Sequence, residues 1–211
     1  MIRNIIWDVD GTLFDTYPAI ARSFQAALSD FGFSAPVEWI RELAKISLGH
    51  CATSLADQYQ INEDELAAKF NEHYDRVKPD EQPPFPGVIP ICEYICSIGG
   101  KNVIVTHRGQ VGTAELLEAN KMSVLFAGAI TRNDGYAKKP DSAAFEAALR
   151  IYGLEPDETI TAGDREIDIT AGQHAGLFSC YFGENQSGAE LIIHHFSELF
   201  EFILEKNKNC Y

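Results

Sequence analysis

Five short apolar runs, each ending in small or polar residues, constrain this chain more than any other feature. They are Ile5-Ile6-Trp7-Asp8, Asn102-Val103-Ile104-Val105-Thr106, Ala127-Gly128-Ala129-Ile130-Thr131, Thr159-Ile160-Thr161-Ala162-Gly163 and Phe178-Ser179-Cys180-Tyr181-Phe182. The runs are continuous rather than alternating, as in strands buried on both faces. Helical patterns lie between them. Residues 88–98 place Ile89, Ile91, Cys92, Ile95 and Ile98 on a helical period, and residues 112–119 hold Leu116 and Leu117. Residues 142–152 start after Pro140 and stop at Gly153, and residues 167–175 stop at Gly176. A glycine just past a helix end is a common terminator. Strands alternating with helices predict a parallel α/β sheet with right-handed crossovers.

One stretch breaks the alternation. From Tyr17 to Lys78 only helical signals occur, in segments 18–31, 36–46, 50–59 and 62–76. A proline cluster follows at Pro79, Pro83, Pro84 and Pro86, which ends regular structure and reads as a hinge. The expected organisation is an α/β core from 1–15 and 85–211, with a helical cap, 16–84, inserted between them. That leaves about 140 residues for the core, an ordinary domain size.

Charge narrows the partners. The 211 residues carry 17 Lys+Arg against 31 Asp+Glu, a formal charge of −14. Nucleic acids and anionic membranes need clustered Lys/Arg, so neither is expected as a partner. A small phosphorylated metabolite remains compatible where a cation and local donors offset the field. The five cysteines, Cys51, Cys92, Cys96, Cys180 and Cys210, lack zinc-site spacing and read as reduced thiols. The first residues are neither a signal peptide nor a membrane span, so a cytoplasmic protein, monomer or homodimer, is expected.

In an open parallel sheet, ligands bind beyond the carboxyl ends of the strands. The first strand ends in Asp8-Val9-Asp10-Gly11-Thr12, and the second in Thr106-His107-Arg108-Gly109. The turn before the helix after the third strand holds Lys138-Lys139-Pro140, and the fourth strand ends in Gly163-Asp164-Arg165-Glu166-Ile167-Asp168. Clustered carboxylates repel one another unless a cation sits among them, and all-oxygen ligands with room for water and phosphate suit Mg²⁺. A carboxylate so held can attack phosphorus. A second acid two residues on can act as general acid and then base. Thr and Lys would stabilise charge on the phosphoryl oxygens.

The four motifs in this order, DVDGT, a strand-ending Thr, Lys-Pro and GD-x-x-x-D, resemble the haloacid dehalogenase superfamily. The position of the helical insert, DGTLFDTYPAI and FPGV are similar to phosphoglycolate phosphatase-like and β-phosphoglucomutase-like members. The resemblance implies a doubly wound, Rossmann-like parallel α/β core with an inserted helical cap. It implies a Mg²⁺-dependent phosphatase that forms an aspartyl-phosphate, with a sugar-phosphate mutase as the alternative. Carried over by position, Asp8 is the nucleophile and a Mg²⁺ ligand. Asp10 is the acid/base and binds metal through its backbone carbonyl. Thr106 bonds the transferring phosphoryl group, Lys139 steadies Asp8 and the phosphate, Asp164 completes the metal ligands, and Asp168 holds metal waters or the lysine.

Two departures from the family pattern matter. His107-Arg108 follows Thr106 where relatives more often have Asn or Ser, and Arg165 follows Asp164 where Ser or Thr is commoner. Either arginine would clamp a second acidic group on the substrate or pair with a local acid such as Glu166. Ser47 to His50 sits where relatives place a substrate-reading loop, so Ser47, His50, His107, Arg108 and Arg165 are candidate substrate contacts. His50 has the alternative of an ordinary helix-start residue. Dehalogenation would leave Asp10 without a task, and a phospho-receiver would carry its acceptor aspartate on the third strand, not the first.

Overall fold

The computed structural model describes residues 1–184 and 188–208. Cys210 therefore lies outside the described residues. The chain divides into two compact units, Met1–Phe14 with Pro84–Tyr211, and Asp15–Pro83.

The first strand, β1 (Asn4–Trp7), is followed by four helices: α1 (Tyr17–Asp30), α2 (Val37–Ile46), α3 (Leu48–Tyr59) and α4 (Glu63–Tyr74). Strands and helices then alternate: α5 (Val88–Ser97), β2 (Lys101–Val105), α6 (Gln110–Ala119), β3 (Phe126–Ile130), α7 (Ala143–Tyr152), β4 (Thr159–Gly163), α8 (Glu166–His174) and β5 (Phe178–Phe182). A short β6 (Leu191–Ile193) and α9 (Phe196–Lys208) close the fold.

All six strands run parallel in the order β3-β2-β1-β4-β5-β6. This is the doubly wound order, and its switch point lies between β1 and β4, where the chain has built outward in both directions. Alternate residues of β1 explain the layering. Ile5 and Trp7 pack into one core with Val88, Ile91 and Ile95 of α5 and Leu199 and Ile203 of α9. Ile6 packs into another with Phe145 and Ala148 of α7 and Ala171 of α8. The sheet is apolar on both faces because helices cover both, which is why its strands read as unbroken apolar runs.

The helical unit has its own core. Phe24, Leu28, Ile40, Leu55, Leu66 and Phe70 are buried together, and the Phe24 and Phe70 rings stack at 4.0 Å. No described helix is long and apolar enough to cross a membrane.

The sequence patterns miss β6. They also place His194-His195 on a helix, whereas both residues occupy the bend between β6 and α9. A three-residue edge strand offers too little pattern to separate from a loop.

Candidate active site

The site begins where β1 stops. Trp7 is the last paired residue, aligned with Ile104 of β2 and Ala162 of β4. Asp8 continues the line, its N–H donating to Ala162 O at 3.0 Å. The chain then turns sharply: Phe14 and Thr12 N–H groups both donate to Val9 O, and Gly11 takes φ +82°, a left-handed conformation that glycine adopts without a Cβ clash. Val9, Leu13 and Phe14 are buried in the core, which anchors the turn and fixes Asp8 and Asp10 at the carboxyl edge of the sheet.

Lys139 reaches in from the turn before α7 and is buried. Its Nζ lies 2.6 Å from Asp8 Oδ1 and 2.6 Å from Asp168 Oδ1, bridging two buried carboxylates. The other Asp168 oxygen accepts the Arg165 backbone N–H at 3.2 Å and lies 3.6 Å from the Arg165 guanidinium. Asp168 is on the first turn of α8, and Gly163 lets that turn come so close. A Cβ on Gly163 would stand 2.3 Å from Asp168 Cβ.

The two carboxylates on this lysine are perturbed in opposite senses. Burial pushes Asp8 up to about 6 against the pull of Lys139. Burial also works against ionised Asp168, but Lys139, Arg165 and the Arg165 backbone N–H outweigh it, and Asp168 is held below the usual carboxylate range. The difference follows from partners: Asp168 has donors on both oxygens, whereas Asp8 Oδ2 is buried with no hydrogen-bond partner. For Lys139, burial disfavours the charge, but Asp168 and Asp8 reverse this and raise its pKa.

Asp164, at the end of β4, accepts from Thr12 Oγ1 at 3.3 Å. One carboxylate oxygen from each of Asp8, Asp164 and Asp168 falls within 4.8 Å of the others. Three acids so close, with a buried orphan oxygen on Asp8, fit a cation bound by hard oxygen donors. Thr106 is buried at the end of β2, and its Oγ1 accepts the Arg108 N–H at 3.0 Å, which leaves its own hydroxyl proton to donate.

The structure thus brings together Asp8, Asp164, Asp168 and Lys139. It gives the other candidates the following partners. Arg108 pairs with Asp10, Nη2 to Oδ1 at 2.7 Å and Nε to Oδ1 at 3.1 Å. Arg165 lies against Asp168, Nε to Oδ2 at 3.6 Å. Both arginines therefore have a local acid as partner, and in each case it is one of the motif aspartates. His107 Nε2 accepts the Lys139 backbone N–H at 3.0 Å, so that nitrogen is already engaged. Ser47 caps α3, its Oγ accepting the His50 N–H at 2.9 Å. The His50 ring lies 3.4 Å from Ser54 Oγ on the same helix. Sequence reasoning assigns no task to Thr12 or Gly163, and it offers His107 as a substrate contact, whereas the structure places its ring on the Lys139 backbone N–H. Thr12 and Gly163 lie inside the motifs, but a side-chain bond across 152 residues leaves no trace in spacing.

A parallel sheet whose switch point carries a lysine-bridged aspartate beside two further acids defines a class of α/β protein with a carboxylate-lined site at the strand ends. The chain belongs to the haloacid dehalogenase-like hydrolase family, whose model matches residues 5–182. It is 27% identical over 198 residues to a phosphoglycolate phosphatase of Aliivibrio fischeri, covering 87% of this chain and 86% of that protein. It is also 27% identical over 180 residues to the pyrophosphatase PpaX of Oceanobacillus iheyensis, covering 83% and 81%. In fold it is similar to a predicted phosphoglycolate phosphatase from Haemophilus somnus, with a TM-score of 0.82, 20% identity, and 96% and 98% of the two chains covered.

Proposed function

We propose that this protein is a Mg²⁺-dependent phosphatase that removes the phosphoryl group from a small phosphorylated metabolite through Asp8. The observation that carries this reading is the state of Asp8: buried, one oxygen on Lys139, the other with no hydrogen-bond partner. Asp8, Asp164 and the backbone carbonyl of Asp10 would hold the cation, and the cation would offset negative charge between carboxylate and phosphoryl oxygens.

The chain's own groups then divide the work. Lys139 and the Thr106 hydroxyl bind the phosphoryl oxygens and meet the charge that accumulates on them. Asp8 attacks phosphorus as the ester P–O bond breaks, giving a phosphoryl group on the Asp8 carboxylate. Asp10 passes a proton to the departing alkoxide, then takes one from the water that attacks the phosphorus. Phosphate leaves and Asp8 is restored. Asp168 accepts from Lys139 on one oxygen and from the Arg165 N–H on the other, and so orients the lysine.

In this reading the helical segment, 16–84, is a cap that selects the substrate. The buried, unpaired thiols of Cys51, Cys92 and Cys180 suit the reducing cytoplasm. The test is phosphate release across a panel of phosphorylated metabolites with Mg²⁺. Release should stop on chelation and in Asp8→Asn. Substantial turnover by folded Asp8→Asn would refute the mechanism.

A further inference from the structure

We propose that His107 is a positioning residue for this chemistry: by accepting the Lys139 backbone N–H on Nε2, it fixes where the lysine enters the site. The inference rests on the phosphatase reading for its kinetic consequence, but not for its geometry.

A lysine that must bridge two carboxylates needs both of its ends held. Its side chain has several rotatable bonds, and fixing it is entropically expensive. The ammonium end is held by Asp8 and Asp168, each at 2.6 Å. The backbone end is a harder problem. Lys139 follows seven consecutive exposed residues, Arg132 to Lys138, so no buried side chain moors the approach. Gly135, within that stretch, sits at φ +77°.

The turn after β2 clasps this excursion at both ends. At its start, Thr106 N–H donates to Ile130 O at 3.0 Å, Arg132 N–H to Arg108 O at 3.2 Å, and Gln110 N–H to Asn133 Oδ1 at 2.9 Å. At its end, Lys139 N–H donates to His107 Nε2 at 3.0 Å. The imidazole is the contact from this turn at the point where the chain goes from exposed to buried. To accept on Nε2, the ring must be neutral with its proton on Nδ1. Burial, then the charges of Lys139 and Arg165, push the pKa of His107 down to about 4, so the acceptor persists at neutral pH. A residue with no acceptor at this reach would leave the lysine N–H unpaired and the entry point of Lys139 loose. A displacement of about 1 Å at a reacting site can cost on the order of 10²-fold in rate.

Two readouts test this on the full chain. The first is chemical: limited acetylation, read by peptide mass spectrometry, compares Lys139 with its exposed neighbour Lys138 as internal reference. The second is steady-state kinetics on p-nitrophenyl phosphate with Mg²⁺. In His107→Leu, Lys139 should acetylate faster relative to Lys138, and kcat should fall about 10–100-fold with KM little changed. His107→Gln places an amide oxygen near the lost nitrogen and should recover most of both. Should His107→Leu fail to fold, His107→Asn replaces it. Its amide falls short by a methylene, so it should label and lose turnover where His107→Gln does not. Labelling ratios equal to wild type in the Leu or Asn variant would overturn the proposal, as would a Gln variant no better than the other. If the wild-type protein releases no phosphate from any ester, the phosphatase reading fails, and the labelling arm still decides the role of His107.

Discussion

Replacing Asp8 by Asn should remove the pH dependence that this carboxylate imposes on the metal-free fold. Asp8 has an ordinary value of 3.8 in the unfolded chain and about 6 in the folded one. The folded state therefore keeps a proton over a pH range where the unfolded state has lost it. Stability from this group is present below pH 3.8, falls as pH rises toward 6, and stays low above. At about 1.36 kcal/mol per pH unit, the whole effect is ~3 kcal/mol, and about half of it falls between pH 5 and pH 7.5. The assay is urea unfolding of wild type and Asp8→Asn in EDTA at several pH values, with the difference in unfolding free energy as readout. Taking the difference cancels the titration of every group that the two proteins share unchanged. The variant should gain on wild type by about 1–2 kcal/mol from pH 5 to pH 7.5. Saturating Mg²⁺ at pH 7.5 should then stabilise wild type, by about 2.7 kcal/mol at a hundred times its Kd, and the variant far less. A gap that does not change with pH would refute the claim that Asp8 is strained by burial of its charge.

Other expectations follow from single contacts. Asp10→Asn keeps the backbone carbonyl but loses the proton donor, so calorimetry should still find Mg²⁺ binding while turnover falls roughly 10²–10⁴-fold. Gly163→Ala puts a methyl 2.3 Å from Asp168 Cβ, which forces α8 off β4. Its cost should be about 1–3 kcal/mol in urea unfolding, with loss of phosphate release because Asp168 no longer meets Lys139. Ser47→Ala removes the cap from α3 and should lower stability by about 1 kcal/mol, and Ser47→Asn should restore it. If Ser47→Ala changed the choice of substrate but not stability, the capping account would be wrong.

Much of the site is legible in the sequence because it depends on local rules. Asp8, Thr106 and Asp164 each follow an apolar run, and a parallel sheet with helices on both faces brings the ends of adjacent central strands to one edge. The spacing of Asp164 and Asp168 straddles a helix start, which puts the second acid on the first turn of α8. The partners are not legible. That Arg108 turns onto Asp10, 98 residues away in sequence, and that the His107 ring takes a backbone N–H 32 residues away, depend on the path of loops that carry no periodic signal. The sixth strand escapes for a related reason: three residues with mixed exposure are held by pairing to β5 rather than by their own pattern.

The sequence by itself determined the class of fold, a parallel α/β sheet with a helical insert, and the acids, hydroxyl and lysine at the ends of its strands. Apolar periodicity and chain connectivity are enough for that, because right-handed crossovers leave few arrangements open. Only the tertiary structure decided which carboxylate has a buried oxygen without a hydrogen-bond partner, since Asp8 and Asp168 are the same residue type on the same lysine. Their difference comes from the donors that surround each one. Asp168 sits at a helix start beside the Arg165 N–H, whereas Asp8 ends a strand whose own N–H is already given to Ala162. Desolvation and hydrogen bonding act over a few ångströms in space, and those few ångströms are set by packing, not by position along the chain.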